Sequence, residues 1–559
     1  MKPPTEPMHP LLSKHSRRRF LAYGSAAALG ELLLPPLSYG QGRHRTTVVE
    51  TSHGKLRGVA ADGIKVFRGV HYAQSTSGKN RFRPPQPVIP WAGVRDATRL
   101  GHPSPQSNPD FPVWLDPNPG SEDCLVLNIW APDHVTSASR LPVMFWIHGG
   151  GYTFGSAGAP LYDLGTLARL GNVVAVGINH RLQAFGFTDL GSHGEGDFAG
   201  SGNAGMLDII AALRWVRENI ATFGGDAGNV TAFGQSGGGA KISTVMAMPA
   251  GKGLLDKAIV QSGSVFRYVE PAEAEETAER TFTLLGLRKN DISALQAVPT
   301  KALLACGDRI MKEARGTGNP ALKYAPVIDG RTLPERPWYS AAPEGSGQVP
   351  LLIGTTRDET IIYMPDEARK PLGDDEAIAK AVVDSVPAYT PDLARVRALI
   401  PFYRKSMGEV SDPELVLQLS TDLSYWEMAV HQAELQSAAG APVFSYRCDW
   451  RTPCYGGTWA PHTMELPFVL GIRHYGPAWD GKDTDAQRAA ADPSNARFHL
   501  GDQMLAAWTT FARTGDPSTA SLTWPRYTVP SRETMIFDGT SRVLADPRGD
   551  YRRALIATP

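Results

Sequence analysis

The chain has 559 residues, of which 42 % are hydrophobic and 20 % charged, an ordinary globular composition with enough apolar mass for a large core. Lys plus Arg and Asp plus Glu number 56 each, so no net field favours phosphate backbones or anionic lipid, and nucleic acid is excluded as an expected partner. Cys124, Cys306, Cys448 and Cys454 form no Cys-x-x-Cys motif and no Cys/His cluster at zinc spacing, so no metal site is expected.

In chain order, residues 1–42 stand apart. A basic opening ends in Arg17, Arg18 and Arg19, and "FLAYGSAAALGELLL" follows, a mildly apolar run interrupted by Glu31. That run is shorter than the roughly 20 residues a spanning helix needs, so no stable membrane anchor is expected. The pattern is that of a twin-arginine-type signal peptide. It predicts a periplasmic or secreted protein whose first partner is the export machinery. Export makes oxidation possible, and the four cysteines permit three complete pairings among which the sequence does not choose.

Beyond residue 42, "TTVVETSHGKLRGVAADGIKVFRGVHYA" alternates polar and apolar residues with glycines at its breaks, the pattern of short antiparallel strands. Three runs, "VMFWIHGGG", "NVVAVGINHR" and "NVTAFGQSGGG", are instead almost continuously apolar and end in glycine or a turn, as strands buried on both faces do. Between the second and third, "MLDIIAALRWVREN" places Leu207, Ile210, Leu213 and Val216 on one helical stripe, which predicts a βαβ unit. "KAIVQSGS" and "VPLLIGTTRDE" repeat the strand-then-turn theme, and "WPRYTVPSRETMIFDG" returns to short strands. Segments 272–310 and 374–437 are richer in helix formers and are expected to be cap insertions in one domain spanning 43–559. The fold class is α/β, a mostly parallel sheet covered by helices.

Within "NVTAFGQSGGGAKIS", Gly234, Ser236 and Gly238 satisfy G-x-S-x-G. With 57 glycines in the chain, so short a pattern also arises by chance, and its context decides. A strand-like "VTAF" precedes it and a helix-like "AKISTVMAM" follows, the setting in which a serine hydroxyl is held on a sharp turn. Such a serine needs a base to take its proton and fixed donors for the oxyanion. "WIHGGGY" offers Gly149, Gly150 and Gly151 after a buried strand, bare backbone whose N–H groups can face a substrate oxygen.

These blocks, with "SEDCLVLNIWAP", "APVIDGRTLP" and "FARTGDP", resemble the type-B carboxylesterases, an α/β-hydrolase family that includes the cholinesterases, over roughly Thr47 to Ala545. The resemblance implies a central mostly parallel sheet with helices on both faces and a helical cap. It implies Ser236 as nucleophile, Glu359 in "GTTRDET" as acid and His462 in "WAPHTMELPFVLG" as base. Gly150, Gly151 and Gly237 correspond to the oxyanion donors, and Ser262 to a position supporting the histidine through hydrogen bonds. Assigning the acid to Glu359 rather than its neighbour Asp358 rests on the family pattern alone. No cofactor is implied.

Two departures matter. The family commonly has Glu before and Ala after the serine, where this chain has Gln235 and Gly237. Loss of that negative charge favours neutral, fairly apolar esters over choline esters. The family's first disulfide would join Cys124 to a cysteine near "HPSPQSN", but Ser104 occupies that place, leaving Cys124 as a thiol. The expected partner is a small-molecule ester. An amidase or carbamate hydrolase of the same fold and a non-catalytic adhesion relative are the alternatives. The loop Asn108–Pro119, rich in aromatics and prolines, is expected at the rim of the pocket.

Overall fold

Alternation inside one short run sets the layers. Every side chain of Val143–Ile147 is buried. Val143, Phe145 and Ile147 enter one hydrophobic core, while Met144 and Trp146 enter another on the opposite side. The neighbouring strands split in the same way, with Val174, Val176 and Ile178 facing the first core and Ala175 the second. Period-two chain geometry forces this division, so the sheet must be covered on both faces.

A computed structural model of the protein describes residues 45–107, 116–191, 196–264, 268–317, 323–386, 391–473 and 485–558. The expected signal peptide and residues 108–115 of the expected rim loop lie outside the described residues. The strands are β1 (Arg45–Thr51), β2 (Gly54–Ala61), β3 (Ile64–His71), β4 (Val94–Asp96), β5 (Val126–Pro132), β6 (Leu141–Ile147), β7 (Val174–Ile178) and β8 (Gly225–Gln235). They continue with β9 (Lys257–Gln261), β10 (Leu351–Thr356), β11 (Val443–Cys448), β12 (Thr452–Cys454), β13 (Gly457–Trp459), β14 (Thr534–Phe537) and β15 (Arg542–Leu544).

Thirteen strands form one sheet in the order β1-β2-β3-β5-β7-β6-β8-β9-β10-β11-β14-β15, with β4 paired to β2. From β7 to β14 every neighbouring pair is parallel. The β1-β2-β3-β5-β7 side and the β14-β15 edge are antiparallel. This is the α/β-hydrolase fold. The strands expected from the alternating N-terminal segment are β1, β2 and β3.

Helix Ala204–Asn219 follows β7 and buries Ile210, Leu213 and Val216 in the first core, together with helix Gly237–Ala247. Helix Ala496–Thr514 buries Leu500, Met504, Trp508 and Phe511 in the second. Segment 272–310 forms helices whose Phe282, Leu295, Leu303 and Cys306 join the first core. Segment 374–437 differs, because its helices gather Ile378, Val382, Val396, Leu399 and Leu419 into a separate core. Helix Asp412–Thr421 runs through a π-helical turn, Asp422–Trp426, into helix Glu427–Ala438.

One buried ion pair ties β7 to the helix after it. Arg181 and Asp208 are 1 % and 0 % exposed, bonded at 2.8 Å and 2.6 Å through Nε and Nη2, and Asp208 also accepts from the Arg181 N–H at 3.0 Å. Removing one partner strands the other charge in the core. Asp208→Ala is therefore expected to cost about 3–5 kcal/mol in urea unfolding, against a smaller loss for Asp208→Ala/Arg181→Met. A single-variant loss below about 1 kcal/mol would show that the pair does not hold this junction.

Candidate active site

Ser236 stands at the end of β8 with φ 56° and ψ −126°, a left-handed conformation that a non-glycine residue adopts only where its surroundings enforce it. The enforcement is visible in the glycines. A Cβ on Gly238 would lie 2.0 Å from the Ile147 carbonyl oxygen, and one on Gly234 would lie 2.7 Å from the backbone of Gly238. A Cβ on Gly263, just past β9, would lie 2.5 Å from the Ser236 oxygen. The glycines of the motif are thus a steric requirement of a strand that turns directly into a helix. Ser236 itself is half-buried, at the start of helix Gly237–Ala247.

The second glycine cluster comes to the same place. Gly150 and Gly151 have φ of 83° and 59°, and a Cβ on Gly237 would stand 2.5 Å from the Gly151 nitrogen. Alanine, the residue commonly found after the serine, does not fit at Gly237 with the turn so placed. Among the described residues, the N–H groups of Gly150, Gly151 and Gly237 donate to no protein acceptor. Three unused donors beside a serine hydroxyl form an anion-binding corner, strengthened by the positive end of the helix.

Glu359 and His462 meet beside Gln235, the residue before the serine. The His462 Nδ1–H donates to Glu359 Oε2 at 2.5 Å, which leaves Nε2 as the basic nitrogen. The other carboxylate oxygen, Oε1, accepts from Ser262 Oγ at 2.6 Å and from the Thr356 N–H at 2.8 Å. Ser262 thus reaches the histidine through the acid, in a hydrogen-bonded chain Ser262–Glu359–His462. The choice between the neighbouring carboxylates is also decided: Asp358 turns away and accepts from the Ala460 N–H at 2.9 Å.

His462 is 1 % exposed and walled by Tyr425 and Tyr363, with ring centroids 4.8 Å and 5.8 Å away. Tyr425 comes from the π-helical turn, which aims this side chain at the imidazole. Gln235 is buried, with its amide nitrogen 3.0 Å from His462 Nε2 and 3.4 Å from Nδ1. With Nδ1–H given to Glu359, the Gln235 amide donates to Nε2 and caps the basic nitrogen in this structure.

Sequence reasoning passed over Glu465, three residues after His462. It is fully buried, receives a hydrogen bond from Gln261 Nε2 at 3.1 Å on Oε1, and its Oε2 has no hydrogen-bond partner among the described residues. Burial, followed by the nearby Glu359 charge, pushes its carboxyl up to about 7. A Glu one turn beyond a loop histidine in "HTMELPF" was the available signal, but nothing in the spacing says that it is buried. All four cysteines are buried and none is in a disulfide, including Cys448 and Cys454. Cys124 lies beside Ser104, as expected of a lone thiol there. Among the described residues no His/Cys/Asp/Glu group is arranged to hold a metal ion, and no helix is long and apolar enough to cross a membrane.

A serine on a glycine-enforced elbow, an imidazole oriented by a carboxylate and free backbone donors define a serine hydrolase of the α/β-hydrolase class. The sequence profile of the carboxylesterase family matches residues 45–547, and the chain belongs to that family. It is 37 % identical over 511 residues to para-nitrobenzyl esterase of Bacillus subtilis, covering 91 % of this chain and 98 % of that protein. Phenmedipham hydrolase of Pseudarthrobacter oxydans is 33 % identical over 86 % of this chain and 92 % of its own length. A solved structure of a para-nitrobenzyl esterase superposes with a TM-score of 0.77 at 36 % identity, covering 91 % and 99 % of the two chains. A carboxylesterase of Geobacillus stearothermophilus superposes with a TM-score of 0.75 at 35 % identity, covering 91 % and 100 %. The protein is a carboxylic ester hydrolase.

Glu465 makes stability depend on pH. The folded protein holds this carboxyl protonated up to about pH 7, whereas the unfolded chain releases the proton in the ordinary carboxylate range. The folded state therefore loses stability as pH rises from that range to about 7. Glu465→Gln is expected to remove the loss, gaining up to about 3 kcal/mol at pH 8 and almost nothing at pH 4.5. Urea unfolding at the two pH values checks this, and an equal gain at both would contradict it.

Proposed function

We propose that Ser236 is the nucleophile, His462 its general base and Glu359 the orienting acid of an acyl-enzyme mechanism acting on neutral, fairly apolar esters. The observation that carries this reading is the 2.5 Å contact between His462 Nδ1 and Glu359 Oε2, on a buried histidine that also contacts Gln235, the residue before the strained Ser236. Once the Gln235 amide gives up its hydrogen bond to Nε2, His462 Nε2 takes the Ser236 proton as Oγ attacks the ester carbonyl. Glu359 holds the imidazole in the tautomer with Nε2 unprotonated and stabilises the imidazolium that forms. The N–H groups of Gly150, Gly151 and Gly237 receive the oxyanion. His462 then protonates the departing alcohol, and a water molecule activated by the same nitrogen releases the acid.

The preference for uncharged substrates is supported by Gln235, which puts a neutral amide against the imidazole where the family commonly has a carboxylate. Tyr363 and Tyr425 add aromatic surface beside the base. A relative named para-nitrobenzyl esterase makes aromatic esters the natural first substrates to try.

Purified mature protein and Ser236→Ala are to be compared on p-nitrophenyl esters of increasing acyl length. The variant is expected to lose about a thousandfold or more in kcat, with an acyl-length optimum in the parent. Equal, feeble rates from both would move the amide, carbamate or binding-protein readings ahead. A choline ester is expected to be turned over less well than its uncharged isostere, and the reverse order would refute the role given to Gln235.

We also propose that the mature protein is periplasmic or secreted, with residues 1–42 acting as a twin-arginine-type signal. The adjacency of Arg17–Arg19 to a short apolar run supports it. Replacing Arg17, Arg18 and Arg19 by Lys is expected to retain the protein in the cytoplasm on fractionation. Unchanged export would refute the twin-arginine assignment.

A further inference from the structure

Behind the glycine turn lies a buried basic cluster that the roles above leave unused. Lys241 is five residues past Ser236 in helix Gly237–Ala247 and is wholly buried. Its Nζ donates to the backbone oxygen of His148 at 3.1 Å. His148 is the residue that joins β6 to Gly149–Gly151. The same oxygen lies 3.1 Å from the place a Cβ on Gly238 would occupy, so Gly238 and Lys241, three residues apart on one helix face, both press on this carbonyl. The start of the turn is thereby clamped to the first turns of the helix.

The groups facing Lys241 from the other elements are neutral or already committed. The His148 and His180 rings stack with centroids 4.7 Å apart and planes within 5°. Each donates its Nδ1–H to a backbone carbonyl at 2.9 Å, His148 to Gly149 and His180 to Arg181, and neither Nε2 has a partner among the described residues. Burial, then the Lys241 charge, holds both imidazoles well below the usual histidine range, so they stay neutral. The Tyr152 ring lies 5.8 Å from Nζ, and its phenol and that of Tyr268 are kept protonated by burial. Arg181, the other cation here, is bound by Asp208. No carboxylate pairs with Lys241 among the described residues.

We propose that Lys241 is a positioning residue for ester hydrolysis, which holds the Gly149–Gly151 turn through the His148 carbonyl and places an ammonium charge behind the oxyanion donors. The inference rests on the assignment of Ser236 and of the three glycine N–H groups. A buried cation without a counter-ion is unfavourable in the resting enzyme. It becomes favourable when negative charge develops on the attacked oxygen, in surroundings that screen it poorly. The charge therefore acts on the transition state more than on bound ester, and on kcat more than on KM.

The charge also gives the effect a pH signature. Burial pushes the Lys241 ammonium down to about 7. The cation is present below that pH and is lost as pH rises through it, while the neutral amine still donates to His148. The kcat of the parent is therefore expected to fall on the alkaline side by about tenfold. Lys241→Gln retains a donor without a charge, and Lys241→Arg retains both.

The test measures kcat and KM on one neutral p-nitrophenyl ester from pH 5.5 to 9.5 for the parent, both lysine variants and Ser236→Ala, with circular dichroism to verify folding. The expected result is a Lys241→Gln enzyme about tenfold lower in kcat near pH 6, with KM within about twofold and no alkaline fall. Lys241→Arg is expected to restore kcat and also to lack the fall. A Lys241→Gln enzyme with the parent's kcat and pH profile, or with the alkaline fall intact, would overturn the role of Lys241 alone. A Ser236→Ala protein as active as the parent would overturn the assignment of the site, and the inference with it. If Lys241→Arg does not fold, the Lys241→Gln profile decides the matter by itself.

Discussion

Close contact between bare backbones around Ser236 is the constraint on which the rest of the site depends. The end of β8, the turn after β6 and the chain past β9 converge so tightly that Cβ atoms at Gly234, Gly237, Gly238 and Gly263 would all stand within 3 Å of another backbone. Because these chains touch, the serine is held in a left-handed conformation, and among the described residues the N–H groups of Gly150, Gly151 and Gly237 keep no protein acceptor. The strain at Ser236 is sustained by the packing of a parallel sheet buried on both faces. Preorganisation here means that the oxyanion corner is built before any substrate arrives, so little reorganisation remains for the reaction itself.

Electrostatics are arranged around this corner in layers. Glu359 is satisfied three ways, by His462, Ser262 and the Thr356 N–H, which keeps it a competent partner for an imidazolium. Glu465, a few residues further on, lacks such support and is neutralised by burial and by the charge of Glu359. Two buried carboxyls in one neighbourhood thus differ in how fully their oxygens are hydrogen-bonded. On the other side, behind the glycine turn, Lys241 supplies the opposite sign. On the roles proposed for these residues, acyl transfer develops positive charge at His462 and negative charge at the glycine donors.

The helical segments divide in a way that bears on the site. Residues 272–310 pack into the first core and extend the body of the protein, whereas 374–437 close on a core of their own. From that second group the π-helical turn sends Tyr425 onto His462. Arg548 and Tyr403 hold Asp422 in the same turn, each at 2.6 Å, so the wall of the imidazole is anchored to the C-terminal helix Gly549–Ala557. The aromatic surface beside the base is therefore rigidly mounted.

Much of this was legible in the chain. Continuous apolar runs at Val143–Ile147 and Val230–Phe233 read as strands buried on both faces, and the glycines clustered after them marked the two turns that meet. Ser236, Glu359 and His462 appear in the order this fold demands. That the carboxylate facing His462 is Glu359 and not Asp358, that Ser262 donates to that acid, and that Glu465 and Lys241 are buried depended on tertiary structure. The reason is physical: local sequence determines periodicity, turn chemistry and where bare backbone is needed. Burial and hydrogen-bond partners arise between segments tens to hundreds of residues apart, and only their packing decides which polar side chain loses water and what replaces it.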